Sequence, residues 1–98
     1  MDNFVFEWDD AKAALNIKRH GVSFEAAQGV FYDPFAIVRQ DRIEGGERRW
    51  QILGIADNAA LLLLVAHTVR DGDEGEIVRI ISARRAEPKE RRSYYEHR

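Results

Sequence analysis

Apolar and polar positions alternate at the start of the chain: Phe4, Phe6 and Trp8 are interleaved with Val5 and Glu7, the two-residue period of a short strand. The period then changes. Asp9 is a natural N-cap, and a helix is expected from it to about His20, with Ala11, Ala14, Leu15 and the stem of Lys18 on its inward stripe. Lys18, Arg19 and His20 suit the negative end of that helix, and Gly21 suits the left-handed residue that ends it. Ser23 caps a second helix carrying Phe24, Ala27 and Phe31 at helical spacing, stopped by Asp33-Pro34.

Strand patterns follow over 35–41, 49–55, 61–68 and about 78–83. The turns between them are Glu44-Gly45-Gly46-Glu47, Asp57-Asn58 and the acidic, flexible tip Asp71-Gly72-Asp73-Glu74-Gly75. The run from Leu61 to Val65 has no polar alternation, which predicts a central strand covered on both faces. A last helix is expected from around Pro88, with Arg91, Arg92, Tyr94 and Tyr95 along it. The order β-α-α-β-β-β-β-α describes an α+β fold. Two N-terminal helices pack on a four- to five-stranded, mainly antiparallel sheet, and a C-terminal helix follows.

Ninety-eight residues suit one domain, 1–98, and a chain 45% hydrophobic and 33% charged is expected to be globular. The absence of cysteine excludes thiolate metal sites and points to a reducing cytoplasm. No signal peptide is recognisable, and the longest apolar run, 59–66, is too short to cross a bilayer, so no membrane partner is expected. The net charge of −2 conceals an asymmetry: residues 1–75 hold 8 basic and 13 acidic groups, residues 76–98 hold 7 basic and 4 acidic. The C-terminal end can therefore meet a polyanion, or simply be a solvated, charge-rich helix.

Several segments, in order, resemble one family. Phe6-Glu7-Trp8-Asp9 with Lys12 and Asn16, then Lys18-Arg19-His20-Gly21-Val22-Ser23-Phe24, is similar to the opening of BrnT toxins. Phe31 with Asp33-Pro34, Glu47-Arg48-Arg49, Gly54, and His67-Thr68 with Arg70 continue the likeness. Arg79-Ile80-Ile81-Ser82-Ala83-Arg84-Arg85-Ala86, Glu90-Arg91 and Tyr94 complete it. Glu87 departs from the pattern, which commonly has Thr there, an exchange that bears on capping more than on chemistry. The resemblance implies a RelE-like sheet supporting an RNA-facing surface, and a ribonuclease that inhibits growth. It also implies neutralisation by a BrnA-like ribbon-helix-helix antitoxin, with room for higher-order toxin–antitoxin assembly.

RNA cleavage without a metal or other cofactor needs a base for the ribose 2′-hydroxyl, cations for the phosphorane and an acid for the leaving oxygen. Arg79 and Arg84 are the candidate catalytic cations, because a guanidinium matches two phosphate oxygens; their alternative is ion pairing with carboxylates. His67 is the candidate proton carrier or else a packed, hydrogen-bonded residue beside Leu63 and Val65. Arg70, Arg85, Lys12, His20, Arg91 and Tyr94 are candidate RNA contacts, Tyr94 by stacking on a base or else by packing its helix. A non-catalytic RNA-binding or antitoxin-binding module would use the same surface.

Overall fold

The computed structural model describes residues 3–56 and 60–97; the turn expected at Asp57-Asn58 lies outside them. Strand β1 (Phe4–Glu7) leads into helix α1 (Asp10–His20). Helix α2 (Phe24–Ala27) is a single turn that tightens into a 3-10 segment (Gln28–Tyr32). Strands β2 (Ile37–Glu44), β3 (Glu47–Ala56), β4 (Leu61–Gly72) and β5 (Gly75–Arg85) follow, then helix α3 (Pro88–Glu96).

The local signals act as their chemistry dictates. Asp9 Oδ1 accepts from the Lys12 N–H at 3.1 Å, and Ser23 Oγ accepts from the Ala26 N–H at 3.0 Å. Gly21 ends α1 at φ 69°. Gly45 and Gly46 both have positive φ, 59° and 78°, as a tight two-residue hairpin turn between β2 and β3 requires. The hairpins are tight enough that β4 and β5 run several residues beyond their apolar segments.

The sheet has the order β1-β5-β4-β3-β2. Its last four strands form an antiparallel meander, but β1 pairs with β5 in parallel, so the sheet is mixed. The helices therefore do not simply precede the sheet. They cross one face of it and join its two outer strands, which run antiparallel to each other. Strand β4 is central, with Leu62 to Val65 buried, as its apolar run predicts.

Alternation divides the apolar residues between two faces. Phe24, Ala27 and Val30 pack on Ile52, Leu63, Val65, Val78, Ile80 and Ala83, covering most of the first face. Leu53, Leu62 and Leu64 point the other way and meet Tyr94 of α3, which covers only part of the second face. A bulge between β4 and β5 places Ala66 opposite Ser82 but His67 opposite Ile80, leaving Ile81 as the extra residue.

The stripe expected on α1 is not its buried side. Ala11, Ala14, Leu15 and Lys18 face solvent, Leu15 being 43% exposed, and the buried residue is Asn16, 5% exposed. Its side-chain nitrogen donates to the carbonyls of Val22 (2.9 Å) and Ala83 (2.8 Å), and its oxygen accepts from the Ala83 N–H (3.1 Å). Helix α1 is thus anchored by one buried amide rather than by an apolar face. Asn16→Ala leaves three buried backbone groups without partners, and should lower the unfolding free energy in urea by about 2–4 kcal/mol. Leu15→Ala should cost less than about 0.5 kcal/mol; comparable losses in the two variants would refute this account of the anchor.

Candidate functional site

The second face of the sheet is open beyond the reach of α3. Pairing places Arg79 of β5 beside Thr68 of β4 on one side and Glu7 of β1 on the other. Arg70, next but one from Thr68 on β4, shares their face. Arg70 grips the Glu7 carboxylate with both terminal nitrogens, at 2.8 and 3.1 Å, and Arg79 Nη1 donates to the same Oε2 at 3.3 Å.

Farther along β5, past the bulge, Arg84 lies opposite Leu64 and so on the same face. Its two terminal nitrogens donate to the two oxygens of Glu90 on α3, both at 2.9 Å. Glu90 Oε1 also accepts from the Glu87 N–H at 2.8 Å, closing the first turn of α3. A cleft of about 290 Å³ runs between α3 and the sheet here, lined by Arg39, Gln51, Leu64, Lys89 and Glu90. At roughly 3.3 Å of rise per residue, the Arg79 and Arg84 backbones are on the order of 15 Å apart. They therefore face different phosphates of one strand rather than the same one.

The remaining candidates fall elsewhere. His67 is on the helical face, 3% exposed, with its ring edge-on to Phe31 at 4.8 Å and Nδ1 3.2 Å from the Val65 carbonyl oxygen. Burial holds its pKa below the ordinary histidine value, the nearby carbonyl opposing this. It borders an open groove of about 560 Å³ with Val38, Arg48, Trp50, Val69 and Arg70, whereas Arg79 and Arg84 lie outside that groove. Arg85 is opposite Leu63 and points to the helical side, while Lys12 and His20 are exposed on α1. Arg91 is exposed on α3, 5.8 Å from the Tyr95 ring. Tyr94 is 1% exposed and its hydroxyl donates to Asp33 Oδ2 at 2.6 Å, so its ring packs α3 and offers no surface to a base.

Sequence reasoning missed Glu7, Arg39, Gln51 and Glu90 as members of this face. Glu7 was legible only as the outward position in the β1 alternation, and Glu90 only as a capping residue.

A family model described as the ribonuclease toxin BrnT of type II toxin–antitoxin systems matches residues 8–90. The chain belongs to the BrnT family. A comparison with curated proteins finds no match. Membership makes this a ribonuclease toxin of a type II system, with RNA as substrate and an antitoxin as partner. No helix among the described residues is long and apolar enough to cross a membrane.

On this BrnT surface the arginines set the ionisation of their partners. The Arg70 hydrogen bond, opposed by partial desolvation and aided by Arg79, holds Glu7 below the usual glutamate value of 4.5. Arg84 does the same to Glu90, with the Glu87 N–H and Arg39 adding to it. Because both folded pKa values are depressed, the pairs contribute stability above the unfolded glutamate pKa and lose it as pH falls through the folded values. Carboxyl-carbon NMR titration should show both glutamates titrating below 4.5. Arg84→Met should move Glu90 upward while leaving Glu7 in place; an unmoved Glu90 would contradict the assignment.

Proposed function

We propose that this BrnT toxin is a metal-independent endoribonuclease of RelE-like fold, acting in the cytoplasm, whose open sheet face binds and cleaves RNA. The observation that carries the reading is the gathering of Arg70, Arg79 and Arg84 on one uncovered face, with the cleft along α3 beside them. Arg79, beside Glu7, supplies the positive charge that a phosphorane develops against, and its planar fork can follow two phosphate oxygens through the transition state, while Arg84 binds a neighbouring phosphate of the same strand. Arg70, Arg39 and Lys89 extend the contact along the strand of RNA. In the unliganded protein Glu7 and Glu90 hold these guanidinium groups in place, so the site is pre-formed, and RNA phosphates take over the hydrogen bonds.

In this reading His67 and Tyr94 keep the fold, and Lys12, His20 and Arg85 lie away from the bound RNA. The antitoxin is BrnA-like, with a ribbon-helix-helix element, and neutralises the toxin by covering the arginine face. The mixed signs on that face give such a partner both cations and carboxylates to match.

Arg79→Lys should slow cleavage of end-labelled RNA by roughly a hundred- to a thousand-fold, the size of losing one charge-stabilising donor, and Arg84→Lys, at a neighbouring phosphate, should slow it less. Binding of the same RNA should change far less, because the charge is kept. Cleavage by the unaltered protein should survive chelator. Equal losses of binding and cleavage in Arg79→Lys would make Arg79 an RNA holder too, and binding with no cleavage by the unaltered protein would favour a non-catalytic module.

A further inference from the structure

Glu7 is the carboxylate that the arginine face presents to a bound phosphate, and nothing in its packing requires it there. It sits on the four-residue edge strand β1, and its side chain is 34% exposed. Its ion pairs with Arg70 and Arg79 are solvent-facing, a class that adds little to stability. Yet it is the point where both guanidinium groups converge, within 2.8–3.3 Å. A phosphate that takes hydrogen bonds from Arg70 and Arg79 must lie beside the carboxylate they release.

We infer that Glu7 is the general base that removes the 2′-hydroxyl proton in RNA cleavage; this rests on the reading of the arginine face as the site of cleavage. Four acceptor positions are open to a carboxylate. Among the described residues Oε2 uses two, for Arg70 Nη1 and Arg79 Nη1, and Oε1 uses one, for Arg70 Nη2. Oε1 thus has a free lone pair for the ribose hydroxyl even before the arginines turn to phosphate. Glu90, also on this face, closes the first turn of α3 and is only 14% exposed, and Glu47 acts on Arg70 only through space, so Glu7 is the carboxylate that holds both guanidinium groups.

In the step, the 2′-oxygen bonds to phosphorus as its proton passes to Glu7 Oε1. The bond from phosphorus to the 5′-oxygen breaks, and the leaving oxygen takes a proton from water. Glu7 then gives its proton to the hydroxide so formed, leaving a 2′,3′-cyclic phosphate, a 5′-hydroxyl and an unchanged carboxylate. In the free protein the arginines keep Glu7 weakly basic and ionised. When phosphate takes their hydrogen bonds, Glu7 loses the interactions that lowered its pKa and becomes the stronger base.

The test is single-turnover cleavage of an end-labelled single-stranded RNA by the full chain, measured beside binding of the same RNA with its 2′-hydroxyls methylated. Glu7→Gln should slow cleavage by roughly a hundred- to ten-thousand-fold and flatten the acidic limb of the pH–rate profile. It should bind the methylated RNA at least as tightly, since a negative charge has left an anion site. A Gln variant that cleaves as fast as the unaltered protein, or faster because its arginines are freed, would overturn the assignment and make Glu7 a mere counter-ion. If the Gln variant also loses binding, Glu7→Asp decides: slower cleavage with binding intact keeps the assignment, and an unchanged rate ends it. Failure of the underlying reading looks different, because then Arg79→Lys would also cleave normally.

Discussion

Both outer strands of the sheet are too short, and the structure depends on how that shortfall is met. Strand β1 stops pairing at Arg79, leaving the outer edge of β5 uncovered beyond it. Asn16 reaches that edge and takes both the N–H and the carbonyl of Ala83, as a neighbouring strand would. At the opposite edge β2 pairs only as far as Leu53, and Asp33 Oδ2 accepts the next outward N–H, that of Ile55, at 2.8 Å. Gly54 lies between them, where an added Cβ would sit 3.0 Å from Val30 and 3.1 Å from Asp33. Two polar side chains from the helical layer thus complete the sheet and fix that layer on one face.

What is left determines the site. The helical layer covers one face except for a groove beside His67, and α3 covers part of the other. Two contacts set how far: Tyr94 reaches Asp33, and Arg84 holds Glu90 at the start of the helix. Asp33 therefore ties both layers to the same strand edge. Arg84 also joins the sheet to the carboxylate that closes the first turn of α3.

The local features were legible in the sequence. The apolar run of β4, the caps at Asp9 and Ser23 and the hairpin glycines each act within a few residues, so composition and spacing reveal them. Asn16 was not legible, because its partner at Ala83 is 67 residues away and a buried amide looks like any polar position on a helix. Nor was the separation of His67 from Arg79. Neighbouring strands and period-two counting say which residues share a strand face, but not which face the helices will cover. The bulge at Ile81 also shifts parity, so that Arg79 and Arg84 share a face despite their odd spacing. Glu7 stayed hidden because a carboxylate gains meaning only from the arginines that other strands bring to it.

The central claim is that RNA meets the arginine face and not the helical one. The most direct measurement follows the side-chain Nε–Hε signals of the arginines by NMR while a single-stranded RNA with methylated 2′-hydroxyls is added to the full chain. The account predicts that Arg70, Arg79 and Arg84 shift together and saturably, while Arg19 on α1 and Arg85 on the helical side do not. Shifts centred on Arg19 and Arg85, with Arg79 and Arg84 still, would contradict it.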